Sequence, residues 1–460
     1  MEEVGGYPRS GAAFERDWTK GSIVGNLWSL SWPIVINNSL FMVGQTVDMI
    51  WIGKLGTASI AGVGVAFIVF TLVMLVKMGL IVGVRAMIAR FMGAGDTESA
   101  NHVARQAFVI SAAYGVVMTA VGLFFAEPVL NLFGLEADVV AEGAAYMRMT
   151  FAGWVTLSFW LMSFSIMQAS GDTVTPMKIS IFIRFVQVAL CPFLVFGWWI
   201  FPRLGVSGAA LSNVINQSLG MFISLWVFST GRSRLRLTLR NFRLDLNIIW
   251  RIVKIGIPAS VMGMQRSFGN LVLTWFMVPF GTLAVAAHSL VQRVEMILFM
   301  PSMGLGWGAG VLVGQNLGAG QPGRAERSGW LATGFAEGFM VACSVAILLW
   351  AESIVGIFNT EPGLVEITSI FLRIAAAGYL VQGFIAVLQN CISGAGDTLP
   401  AMLISLVIVW VVQLPLAFLL PQVTDLGVNG VRWAIAAGIV VGAVAYVAYF
   451  RLGRWKRKKV

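Results

Sequence analysis

An aspartate lies inside the first long apolar run of the chain, in the stretch QTVDMIWIGK at residues 45–54. Asp48 stands six residues before Lys54, which on a helix places it roughly 9 Å from the nearest polar end. Its side chain is too short to reach water from there. Lys54 lies about 240° round the helix and does not face it. A carboxylate in such a place, without a counter-charge, carries a proton or a bound cation, which is how an ion-coupling group behaves. It is equally served by hydrogen bonds from amides: Gln45 on the same run, Gln187 on the fifth, and Asn213 and Asn216 on the sixth. The two readings are compatible. Na⁺ at Asp48 would need further oxygen ligands.

A second constellation falls in the C-terminal half. Arg266 lies in the seventh run, and Arg293 and Glu295 lie in the eighth at comparable depth. Intramembrane charges pair and face the bundle interior, so an Arg266–Glu295–Arg293 network is expected, either as a tie between helices or as a substrate or gating site. Glu337, mid-depth in the ninth run (TGFAEGFM), is a second protonatable group or, as expected here, a hydrogen-bond partner of a neighbouring helix. Lys77 is expected to snorkel toward the nearer polar face, and His288 to pack or cap. With only two histidines, and three cysteines without paired spacing, the chain offers no metal or disulfide framework. No Walker A pattern is present, so ATP is not the expected energy source. No cofactor is expected, and no enzyme chemistry.

These residues are carried by a chain that is 58% hydrophobic and only 11% charged over 460 residues, against about 25% charged in soluble domains. An all-α integral membrane protein follows. Twelve spans are expected, near 29–52, 58–83, 104–126, 145–169, 176–200, 206–230, 250–279, 283–312, 327–350, 367–392, 400–421 and 427–450. Basic residues gather in the even connections and the tail: Arg85, Arg90 and Arg105, then Lys178 and Arg184, then Arg232 to Lys254, then Arg324 and Arg327, then Arg451 to Lys459. The odd connections are acidic instead. The positive-inside rule therefore puts both termini in the cytoplasm of a plasma-membrane protein. The net charge of +10 suits contact with anionic lipid rather than nucleic acid.

The chain also repeats itself. SWPIVI at Pro33 recurs as GIPASV at Pro258, FMGAGD at Gly93 as NLGAGQ at Gly318, and SGDTVTP at Gly171 as AGDTLP at Gly396, each 225 residues on. The glycine-rich pieces read as turns that end helices, with Asp96, Asp172 and Asp397 starting the next ones. Two pseudo-symmetric six-helix bundles result: an N-terminal segment 1–25, an N-lobe 26–230, a linker 231–249, a C-lobe 250–450 and a basic tail 451–460. Six is even, so the halves are parallel repeats that can rock about a cleft between them.

WPIVINNSLFMVGQTVDMIWIGKLG, GVRAMIARFMGAGD, GDTVTPM, AAHSLVQRVEMILFMPSMGLGWGAGVLVGQNLGAG and GAGDTLP resemble the multidrug and toxic compound extrusion (MATE) family over roughly residues 25–450. The resemblance implies a monomeric exporter that exchanges H⁺ or Na⁺ for small amphipathic, often cationic organic compounds. The related flippases of lipid-linked precursors, usually with more helices, are the alternative. The family's first-helix aspartate falls on Asp48. Its fifth-helix motif N-x-x-x-D/N-P reads QVALCP here, with Gln187 and Cys191 in place of the expected residues. The acidic positions that some members carry in helices 7 and 10 fall near Arg266 and Gln382, which are not acidic.

Overall fold

The structure is a computed structural model. It describes residues 16–237 and 242–458, with the side chains of all but Val43, Gln45 and Ala58. The part expected of the Gln45 side chain therefore lies outside the described residues, as do residues 1–15 and Lys459. The described chain is helical throughout. The N-terminal half holds α1 (Ile23–Gly53), α2 (Thr57–Gly93), α3 (Thr97–Asn131), α4 (Ala137–Ala152), α5 (Trp154–Ser170), α6 (Val174–Phe196) and α7 (Val206–Ser229). The C-terminal half holds α8 (Leu246–Met277), α9 (Thr282–Gly318), α10 (Pro322–Gly356), α11 (Pro362–Tyr379), α12 (Gln382–Gly394), α13 (Thr398–Leu406), α14 (Leu414–Val423) and α15 (Val428–Leu452). Among the described residues nine helical segments are long and apolar enough to cross a membrane, and two bent pairs bring the number to eleven. With the 31-residue α1 there are twelve long elements.

The bent pairs are repeat counterparts. α4 and α5 meet at 52°, α11 and α12 at 51°, and the breaks fall at Gly153 and beside Gly378, 225 residues apart. The spans expected at 145–169 and 367–392 are thus broken helices. Backbone geometry repeats too. Gly205 and Gly427 open α7 and α15 at φ 58°, ψ −132° and φ 51°, ψ −132°, a conformation open to glycine and strained for residues with a Cβ. Asp96 caps α3 through the N–H of Ser99 at 2.9 Å, and Asp172 caps α6 through that of Thr175 at 3.1 Å. Burial nonetheless holds the Asp172 carboxyl above the usual carboxylate range, because desolvation outweighs the hydrogen bonds from Thr175. Asp397 departs from the expected capping role: it takes the Tyr449 hydroxyl and the Lys458 ammonium instead.

In lipid, helices associate by close packing at small residues, and the two halves join this way. Gly79 and Gly83 of α2 lie against Gly256, Ser260 and Ile252 of α8; Gly263 of α8 lies against Leu75. Gly304 and Gly308 of α9 lie against Val35 and Ser31 of α1, and Gly93 lies against Gln315. All but the Gly263–Leu75 approach, which lies at mid-helix, fall toward the termini side of the molecule. Among the described residues, the opposite parts of α1, α2, α8 and α9 make no glycine-mediated approach across the halves, as expected of a cleft open on that side.

Two side chains latch the closed side through three hydrogen bonds. Gln315 donates to the Ala169 carbonyl at 2.9 Å. Arg90, its counterpart 225 residues earlier, donates to the carbonyls of Lys458 at 2.7 Å and Ala395 at 3.4 Å. A neutral bond such as that of Gln315 contributes about 0.5–1.5 kcal/mol, and one from a charged donor such as Arg90 about 1.5–3 kcal/mol. The Arg90→Ala, Gln315→Ala double variant is expected to raise the population open on the termini side about tenfold or more. Spin labels at the starts of α3 and α10 would report it as a new, longer distance.

Candidate functional site

α1, α6 and α7 converge on Asp48, which is 6% exposed. Gln187 donates its amide to both carboxylate oxygens, at 2.9 and 3.1 Å. Asn213 donates to Oδ2 at 2.7 Å and accepts from Gln187 at 2.7 Å. Asn216 stands behind, donating to Gln187 Oε1 at 3.4 Å. Two of the four amides named from the sequence thus bond the carboxylate, and a third, Asn216, backs Gln187.

The unexpected member is Arg184. Sequence reasoning placed it with the basic flank of a connection. It is instead buried, at 8% exposure, ten residues into α6 and laid across α1 at Gly44, where any Cβ would strike its guanidinium. Its Nη1 donates to Gln187 Oε1. A guanidinium offers only donors, so Arg184 fixes which way the Gln187 amide points: oxygen toward the arginine, NH₂ toward Asp48. The result is a relay, Arg184 to Gln187 to Asp48, in which the buried carboxylate is surrounded by N–H donors. Gly44, on the α1 face turned toward α6, was the only signal in the sequence that a bulky side chain must pass.

In the C-terminal half the structure corrects the expected network. Glu295 does not join Arg266 and Arg293. It accepts from Arg432 Nη2 at 2.9 Å and from the Tyr379 hydroxyl at 2.8 Å. Arg432 is 1% exposed. The reason is helical phase. Glu295 lies nine residues before Gly304, about half a turn away on α9, so it points into its own half while the Gly304 face meets α1. His288 lies 3.3 Å from Arg432 through Nδ1. Facing a guanidinium, that nitrogen presents its lone pair, so His288 is a neutral packing partner, in line with its expected role.

Glu337 sits on α10 against the first turn of α12. Gly383 has no room for a Cβ beside its carboxylate and backbone, and both carboxylate oxygens are buried without a well-formed hydrogen bond. Gln382 is at the same helix start, and its Oε1 is also unpartnered. Lys77 does not snorkel. It is buried in the N-terminal half and donates to Ser111 at 2.8 Å. Among the described residues no cluster of His, Cys, Asp and Glu could hold a metal ion.

The sequence model of the MatE family matches residues 33–193 and, again, residues 258–419. The chain belongs to the MatE family. The two matches start 225 residues apart, at Pro33 and Pro258, the same spacing as the repeat. A curated MatE-type relative, the "Probable multidrug resistance protein" of Thermotoga maritima, is 26% identical over 94% of this chain and 93% of its own. The "FAD transporter" of Shewanella oneidensis is 24% identical over 91% and 93%. Among solved structures, an outward-facing MATE transporter superposes with a TM-score of 0.90 at 23% identity, covering 98% of this chain and all of that one. This MatE protein is therefore a multi-pass membrane transporter rather than an enzyme.

Proposed function

We propose that this MatE protein is an H⁺-coupled antiporter that exports amphipathic organic compounds by alternating access, with Asp48 as the group that takes the proton. The observation that carries this reading is the Arg184–Gln187–Asp48 relay. A Na⁺ ion seeks several oxygen ligands, whereas Asp48 is surrounded by N–H donors and backed by a fixed positive charge. That environment disfavours a second cation and leaves a proton as the ion that can neutralise the carboxylate. Neutralisation has a structural consequence. Ionised Asp48 only accepts; protonated, it must donate, and Gln187 and Asn213 lose an acceptor. The packing of α1 on α6 and α7 then changes. Ion binding that favours one arrangement over the other is all that coupling requires.

The same reading places the termini side, rich in Arg and Lys, in the cytoplasm. The two lobes, 26–230 and 250–450, rock about the cleft as one monomer. A pocket of about 390 Å³ on the termini side, lined by Arg16, Trp18, Trp32, Lys178 and Arg234 among others, suits lipid headgroups at that surface. The test is reconstitution in liposomes with an imposed gradient of pH or of Na⁺, one at a time, and a xanthene dye as cargo. Dye flux that responds to the pH gradient and ignores Na⁺ is expected. Flux driven by Na⁺ at constant pH, or indifferent to both, overturns the proposal.

A further inference from the structure

The cleft walls carry charge of a definite sign. On α8, the exposed apolar residues Phe268, Leu271 and Trp275 recur three or four apart and form a lipid-facing stripe. Arg266 is exposed yet lies on the other side of the helix, about 60° round from Gly263, which meets Leu75 of the N-terminal half. On α9, Arg293 is exposed and lies eleven residues before Gly304, within about 20° of the same line. Gly304 meets Val35 of α1. Both arginines therefore face the space between the halves.

They also share a level. Arg266 is eleven residues from the end of α8 at Met277, and Arg293 is eleven residues from the start of α9 at Thr282, about 16 Å down from the open side in each case. Arg266 is one turn above the point where Gly263 closes the cleft. Neither has a carboxylate partner among the described residues. The acidic groups within the spans lie elsewhere: Asp48 is bonded by Gln187 and Asn213, Glu295 by Arg432 and Tyr379, and Glu337 is enclosed against Gly383 with its carboxylate oxygens unpartnered.

From this we infer that Arg266 and Arg293 line the floor of the substrate site, and that the site takes amphipathic organic anions bearing a carboxylate, sulfonate or phosphate. The resemblance to the family implies often cationic cargo; this cleft presents the opposite complement. Two guanidiniums offer forked donors to such a group, and the low-dielectric walls concentrate their field and oppose a cationic ligand. The inference rests on the exporter reading only in taking the cleft as the substrate path.

Equilibrium binding to detergent-solubilised protein, followed by fluorescence anisotropy at fixed pH, tests it with two xanthenes of similar size: fluorescein, an anion, and rhodamine 6G, a cation. Wild-type protein is expected to bind fluorescein at least tenfold more tightly, with affinity falling as salt rises. Arg266→Gln with Arg293→Gln is expected to weaken fluorescein at least tenfold while rhodamine 6G is unchanged or tighter, and the Lys, Lys pair is expected to keep most of the preference. Equal or tighter binding of rhodamine 6G to the wild type overturns the inference. So does full retention of fluorescein affinity in the double Gln variant. Because no gradient is involved, a failure of ion-driven transport would count against the exporter reading alone.

Discussion

Asp48→Asn is expected to lower pH-gradient-driven dye uptake on the order of a hundredfold, about 2.7 kcal/mol in rate terms. Dye-for-dye counterflow in the same liposomes should stay within about fivefold of wild type, since the alternating movement itself remains. The substitution keeps the size of the side chain and one oxygen for Gln187 and Asn213. What it removes is the ability to change charge. A merely structural carboxylate would behave differently: both modes would fall together, along with the yield of folded protein. The comparison of the two modes is therefore more informative than either rate alone.

The second large effect concerns stability. Arg432→Met is expected to cost about 3–5 kcal/mol, toward the lower end because Glu295 remains 19% exposed. The mechanism is the stranded charge: Glu295 would keep only the Tyr379 hydroxyl, with no cation against it. Arg432→Met combined with Glu295→Gln should recover most of the loss, since removing both charges leaves no uncompensated ion. Thermal aggregation midpoints of the purified protein would measure it. A single variant as stable as the wild type would show that the pair is not a tie between α9 and α15.

Much of the architecture was legible in the sequence because the signals are coarse and physical. Apolar runs of about 20 residues span a bilayer, and three motifs at one offset announce a repeat. Asp48, Gln187, Asn213 and Asn216 could be grouped because polar side chains inside apolar runs have few partners to choose from. The charged residues of longer reach were harder. Arg184 read as a flank because nothing in α6 alone says that it bends back across Gly44. Arg432 drew no notice, being close to the start of the last span. The Arg266–Glu295–Arg293 network was a guess from depth, whereas phase around α9 decides it: Glu295 points inward to Arg432, and Arg293 points to the cleft. Breaks in the fourth and tenth spans escaped notice because a bend at one glycine changes neither length nor hydropathy.

The claim at the centre of this account is that Asp48 carries the coupling proton. It is tested most directly by measuring, in one batch of proteoliposomes, pH-gradient-driven uptake and counterflow of whichever xanthene dye the wild type moves, for wild type and Asp48→Asn. The variant is expected to lose gradient-driven uptake and to keep counterflow. Gradient-driven accumulation by Asp48→Asn at the wild-type rate would contradict it.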